Sequence, residues 1–180
     1  MEVWVQLAVF LYRLGHYGNA ALVSSIVDWA GIADGSVINF SNHVAWALLG
    51  LHDKYVTWPT AAQIESARSM AVTRSGCEAW SGGYLAVDGM AIKLYQKPVL
   101  FGESWFNKSS DYAIALQIVI LLDSLEIIDY AVGHMGSTHD ALAFKDTRIY
   151  NQHQALLPRG HYLLADPVYA VTGWCIAPFK

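Results

Sequence analysis

In residues 2–14 the apolar positions Val3, Leu7, Phe10, Leu11 and Leu14 recur three and four residues apart, the spacing of one face of an α-helix that Gly15 would stop. Asn19 is placed to cap a second helix running to Ala30, with Leu22, Val23, Ile26 and Trp29 apolar, before Gly31 breaks it. Val37, Phe40, Val44, Leu48 and Leu51 form a third helical stripe. Short helices with a glycine-containing turn between the last two follow the helix-turn-helix pattern, which many plain three-helix clusters share. Thr60 and Gln63 have capping-box spacing, so a fourth helix is predicted from there to about Val72. The polar, glycine-containing stretch 73–83 then reads as a connection, and the boundary is expected near residue 80.

Past that point the pattern changes from helical to strand-like. Residues 84–87 and 91–95 are short apolar runs around Asp88-Gly89 and read as a tight hairpin with Asp88 at a strand end. Residues 112–122 and 125–132 read as a second antiparallel pair joined at Asp123-Ser124. Helical segments are expected at 139–145 and 148–156, a strand at 161–165 ending in Asp166-Pro167, and a further strand from 174 to 177. This order predicts an α/β domain with a mixed sheet over residues 81–180, preceded by a small all-α, helix-turn-helix-like region over residues 1–80.

Composition narrows the classes. At 54% hydrophobic and 14% charged the chain is a packed protein and not a disordered one. The apolar run at 112–122 is interrupted by Gln117 and followed by Asp123, Glu126 and Asp129, well short of the roughly 18 uninterrupted residues of a span. No membrane partner is expected. The start of the chain lacks a basic n-region and a small-residue cleavage pattern, which places the protein inside the cell. Cys77 and Cys175 have neither CxxC nor zinc-site spacing and read as free thiols. The net charge is −4, and residues 1–80 carry four basic against six acidic side chains, a poor match to phosphate. GxSxG, P-loop, GxGxxG and HExxH motifs do not occur.

The chemistry rests on Asp88 and Asp166, each closing a short hydrophobic strand and lying 78 residues apart. Neighbouring strands can bring two such acids to one sheet end, where hard cations such as Mg²⁺ or Mn²⁺ prefer carboxylate oxygen. The alternative is that both are turn residues bonded to nearby backbone N–H groups. His139 and Asp140 stay open in the same way: Asp140 in a first helical turn capped by Thr138 or Ser137 explains them structurally, and an accessory role near the site explains them functionally. His134 and His139 lack further ligands at zinc spacing. Lys93, Lys97 and Lys108 read as solvated surface or as contacts to a DNA backbone.

Four blocks, taken in order, resemble the Harbinger/PIF-type DDE transposase nucleases, a branch of the RNase H-like fold. They are Ala86-Val87-Asp88-Gly89; Trp105-Phe106-Asn107-Lys108 with the strand to Gln117; the Gly133-to-Asp140 segment GHMGSTHD; and Leu163-Leu164-Ala165-Asp166 with Tyr169. The resemblance covers residues 84–180. It implies an RNase H-like mixed sheet with flanking helices, and metal-dependent hydrolysis of DNA phosphodiesters in the nucleus. Asp88 and Asp166 would be the first two metal-binding and catalytic acids, with Asp140 and His139 as accessory residues. Duplex DNA is the implied partner, with a separate DNA-binding protein as a second one. It also implies a third acid, a Glu on a later helix, which the sequence does not reach by Lys180, so the domain reads as C-terminally truncated and the isolated chain as inactive, with little or no turnover. Met90-Ala91 and Ala165-Asp166-Pro167 depart from the family's Thr-His and Gly-Asp-Ser-Gly-Tyr. The competing reading is a domesticated or relic transposase, catalytically inactive, serving as a DNA-binding or protein-interaction module.

Overall fold

The computed structural model describes residues 2–16 and 21–178. The chain divides into two compact units, Met1–Tyr55 and Val56–Lys180.

The first unit contains α1 (Val3–Gly15), α2 (Val23–Ala30), α3 (Asp34–Leu49) and the single turn α4 (His52–Tyr55). Val9, Ile26, Val37 and Phe40 form its core. The stripe expected on α1 is not the buried one: Val3, Leu7, Leu11 and Leu14 are exposed, and Val9 faces the core with Tyr12 beside it. A helix this rich in apolar residues carries a hydrophobic stripe on more than one face, so period alone does not choose between them. Gly31 ends α2 in the left-handed conformation (φ 63°), its N–H bonded to Val27 O. The predicted cap Asn19 lies outside the described residues.

The second unit begins with α5 (Ala61–Ser75), started by the expected capping box. Thr60 N–H donates to Gln63 Oε1 (2.9 Å) and Gln63 N–H to Thr60 Oγ1 (3.4 Å). Ala67 of α5 is fully buried against the core of the sheet. The strands are β1 (Gly83–Lys93), β2 (Ala113–Leu121), β3 (Ile127–Met135), β4 (Tyr162–Leu164) and β5 (Cys175–Ile176). Between β3 and β4 come α6 (Asp140–Ala143), a 3₁₀ turn at Phe144–Asp146, and α7 (Arg148–Leu156).

The sheet order is β3-β2-β1-β4-β5. β2 is antiparallel to both of its neighbours, β1 and β3, while β4 runs parallel to β1 and β5 parallel to β4. This is the expected RNase H-like mixed sheet with flanking helices. Its core gathers Tyr84, Leu85, Val119, Leu121, Phe144, Ile149 and Leu163.

One strand assignment is corrected. The segments expected to form a hairpin about Asp88-Gly89 are a single strand, β1, which pairs with β2 along its length from Leu85 to Lys93. β4 accompanies β1 only as far as Ala86, so among the described residues the remainder of β1 has a neighbour on one side only. No helix among the described residues is long and apolar enough to cross a membrane.

Candidate active site

The register between β1 and β4 sets the site. Ala86 and Leu164 are parallel partners; Asp88 stands two residues further along β1, and Asp166 two residues past the last residue of β4. Neighbouring strands lie about 4.8 Å apart, so the two aspartates lie on adjacent chain segments at a similar level of the sheet. Asp88 therefore sits within β1, at the level where β4 runs out, and not at a strand end. Both residues are exposed.

Each acid makes one local bond. Asp88 Oδ1 accepts from Gly89 N–H at 2.7 Å, and Asp166 Oδ1 from Val168 N–H at 2.9 Å. Tyr169 N–H returns to Asp166 O at 3.2 Å, closing a turn with Asp first and Pro167 second, positions that suit an Asx side chain and a fixed proline φ. The N–H that Pro167 lacks is not needed by this turn. The other carboxylate oxygen of each residue has no hydrogen-bond partner among the described residues.

The GHMGSTHD segment brings in a third carboxylate. A Cβ on Gly136 would come within 2.7 Å of Ala113 O and collide with Trp105 O, so only glycine lets this loop lie so close. Ser137 then ties the loop down, its N–H and hydroxyl both donating to Ser104 O (3.1 and 2.7 Å). The cap of α6 is neither Ser137 nor Thr138: His139 Nδ1 accepts from Ala141 N–H at 3.3 Å, and the ring is otherwise exposed. Asp140, next in the chain, is carried against Gly89, on the face of β1 to which a Cβ of that residue would point.

Behind Asp140 stands Gln117, fully buried in β2. Its Nε2 donates to Asp140 Oδ1 at 3.3 Å, and its Oε1 accepts from the Tyr169 hydroxyl. Burial pushes the Tyr169 phenol above its ordinary pKa, and the charges of Asp140, Asp88 and Asp166 add in that order. Lys108 Nζ lies 3.7 Å from Asp140 Oδ2, and a cavity of about 350 Å³ opens beside them, lined in part by Met90, Ala91, Thr138 and Val168.

The remaining candidates are engaged elsewhere. Lys93 pairs with Asp111 (2.6 Å), Lys97 with Glu103, and His134 Nε2 with Asp146 Oδ2 (3.3 Å). Asp129 is an acid near the helices but serves α7: its Oδ2 accepts from Ile149 N–H (2.6 Å) and its Oδ1 from Tyr130 N–H (2.8 Å). Gln117 was visible in the sequence only as an interruption of an apolar run. A polar residue in a strand buried on both faces was the signal for it.

The donor set suits a hard cation that keeps much of its water. Asp88 and Asp166 each present a carboxylate, as Mg²⁺ sites with one or two protein carboxylates do. Among the described residues no group of three His, Cys, Asp or Glu stands close enough to enclose an ion.

Compared with known proteins, residues 87–180 match a family model described as DDE superfamily endonuclease. No curated protein and no solved structure matches the chain.

Proposed function

The chain belongs to the DDE superfamily endonucleases, whose model covers more than half of it, and from that premise we propose a transposase-type nuclease of the Harbinger/PIF kind, with Asp88 and Asp166 holding Mg²⁺ or Mn²⁺. The observation that carries this reading is the parallel register, which sets Asp88 and Asp166 two residues past the partners Ala86 and Leu164. A divalent cation at such a site activates water and offsets negative charge in phosphodiester hydrolysis. The chain's own part is to present the two carboxylates of Asp88 and Asp166 from adjacent segments of the sheet. His139 contributes by capping the short helix that carries Asp140.

Duplex DNA is the proposed substrate, the nucleus the proposed place of action. The helical unit would contribute DNA binding or contacts to a separate DNA-binding partner protein. Its low basic content favours the second role. A catalytically inactive, domesticated or relic transposase acting as a binding module is the second reading. It is favoured by the net charge of −4 and by the pairing of Lys93, Lys97 and Lys108 with carboxylates.

Mn²⁺ titration of the 180-residue chain separates the two. The nuclease reading expects binding that Asp88→Asn and Asp166→Asn each weaken at least tenfold or so. Equal affinity in wild type and both variants would leave only the binding-module reading. With no acid following Asp166 in these residues, little cleavage of duplex DNA by this chain alone is expected.

A further inference from the structure

A second cavity, of about 510 Å³, opens between α7, the 3₁₀ turn before it and the segment that joins β4 to β5. Clefts for small ligands run from about 300 to 1,000 Å³. Its wall is aromatic. Tyr150 stands edge-on to both Phe144 and Trp174, and the His153 imidazole lies flat on the Trp174 indole, with ring centres 4.3 Å apart and planes 11° from parallel. His153 Nδ1 is 2.9 Å from Tyr150 O. A carbonyl only accepts, so Nδ1 carries the proton and Nε2 of the neutral ring is left as an acceptor. Thr172 Oγ1 accepts from Trp174 N–H (3.4 Å) and Cys175 N–H (3.0 Å), which leaves its own proton to donate. Lys145, also in the lining, has no ion pair among the described residues, unlike Lys93, Lys97 and Lys108.

We propose that this cavity receives an unpaired base of the DNA, stacked against the His153–Trp174 pair, with Lys145 on the adjoining phosphate. This rests on the reading of the chain as a DNA nuclease. The faces of a paired base are hidden in the duplex stack, so only a single-stranded or extruded base can enter. Aromatic walls take any base by its face, while the His153 acceptor and the Thr172 donor suit the polar edge of the ring. An apolar side chain of a protein partner would use the wall but leave the Lys145 charge unmatched. Tyr169, which closes the turn beginning at Asp166, stands in the same wall, so the cavity directly follows one of the proposed acids along the chain.

The test is fluorescence anisotropy of a labelled oligothymidylate with the whole chain, at low salt and without divalent metal. The same oligomer with abasic sites at its centre and a blunt duplex are measured beside it. The wild type is expected to bind the oligothymidylate about tenfold more tightly than the abasic oligomer. Trp174→Leu and His153→Ala should each bring the two affinities together. Lys145→Gln should weaken both by the same factor, because a phosphate contact does not depend on the base. Should circular dichroism show that Trp174→Leu does not fold, His153→Ala, which trims a half-buried ring, still decides. Equal affinity of the wild type for the two oligomers would overturn the base site, and so would a preference that survives in His153→Ala. Either result, with duplex still bound, leaves the nuclease reading standing. Absence of binding to all three DNAs would overturn that reading, and the base site with it.

Discussion

The carboxylate of Asp140 lies against the α-carbon of Gly89, in the space where any other residue would carry a Cβ. In Gly89→Ala the methyl group meets the far end of a side chain, which can swing away, and not rigid backbone. The expected stability cost is therefore small, about 1 kcal/mol. Thermal denaturation checks it, and a loss of several kcal/mol would show that Asp140 and Gln117 cannot yield the space.

Asp129 makes the opposite prediction. Its carboxylate, 8% exposed, satisfies Ile149 N–H at the start of α7, a helix that Thr147 also caps through Tyr150 N–H. Removing it leaves a buried donor without a partner at the positive end of a helix. Asp129→Ala is expected to lower stability by about 2–3 kcal/mol, and Asp129→Asn by less, since an amide oxygen can still accept one of the two bonds. Urea unfolding measures this. Metal affinity in the folded fraction should not move.

Tyr84 is fully buried and its hydroxyl has no hydrogen-bond partner among the described residues. Burial raises its pKa from 10.0 to about 12. The folded state therefore favours the protonated phenol: the stabilisation is complete below pH 10 and is lost as pH rises from about 10 towards 12, by on the order of 2 kcal/mol. Tyr169 and Cys175, also pushed up by burial, act with the same sign. Tyr84→Phe should gain about 1 kcal/mol at neutral pH by removing an unpaired polar group, and should flatten part of the alkaline decline. Unfolding curves at pH 8 and 11.5 test it, and an unchanged decline in the variant would assign the effect to other groups.

The sequence made some of this legible and concealed the rest for identifiable reasons. The capping box at Thr60 and Gln63 and the bounds of α7 are local, and local chemistry reads directly. The order of the later strands follows from their apolar runs and turn residues. Asp88-Gly89 misleads because the same dipeptide that marks a hairpin turn stands here for a different reason: a distant loop needs the space above the glycine. On α1 several apolar stripes compete, and tertiary packing selects Val9. The hydrogen bonds of Gln117 join residues from β2, α6 and the turn after β4, and no spacing rule within one segment can reveal them.

The uneven lengths of β1 and β4 leave a stretch of main chain past Ala86 with one side unladdered among the described residues. Such an edge is a template on which a second molecule's strand can add, and proteins commonly guard it with charge. Asp88 is an exposed anion at the mouth of that notch. The acid proposed to hold a cation would then also keep copies of the chain apart, so a neutral residue at that position should promote self-association as well as weaken metal binding.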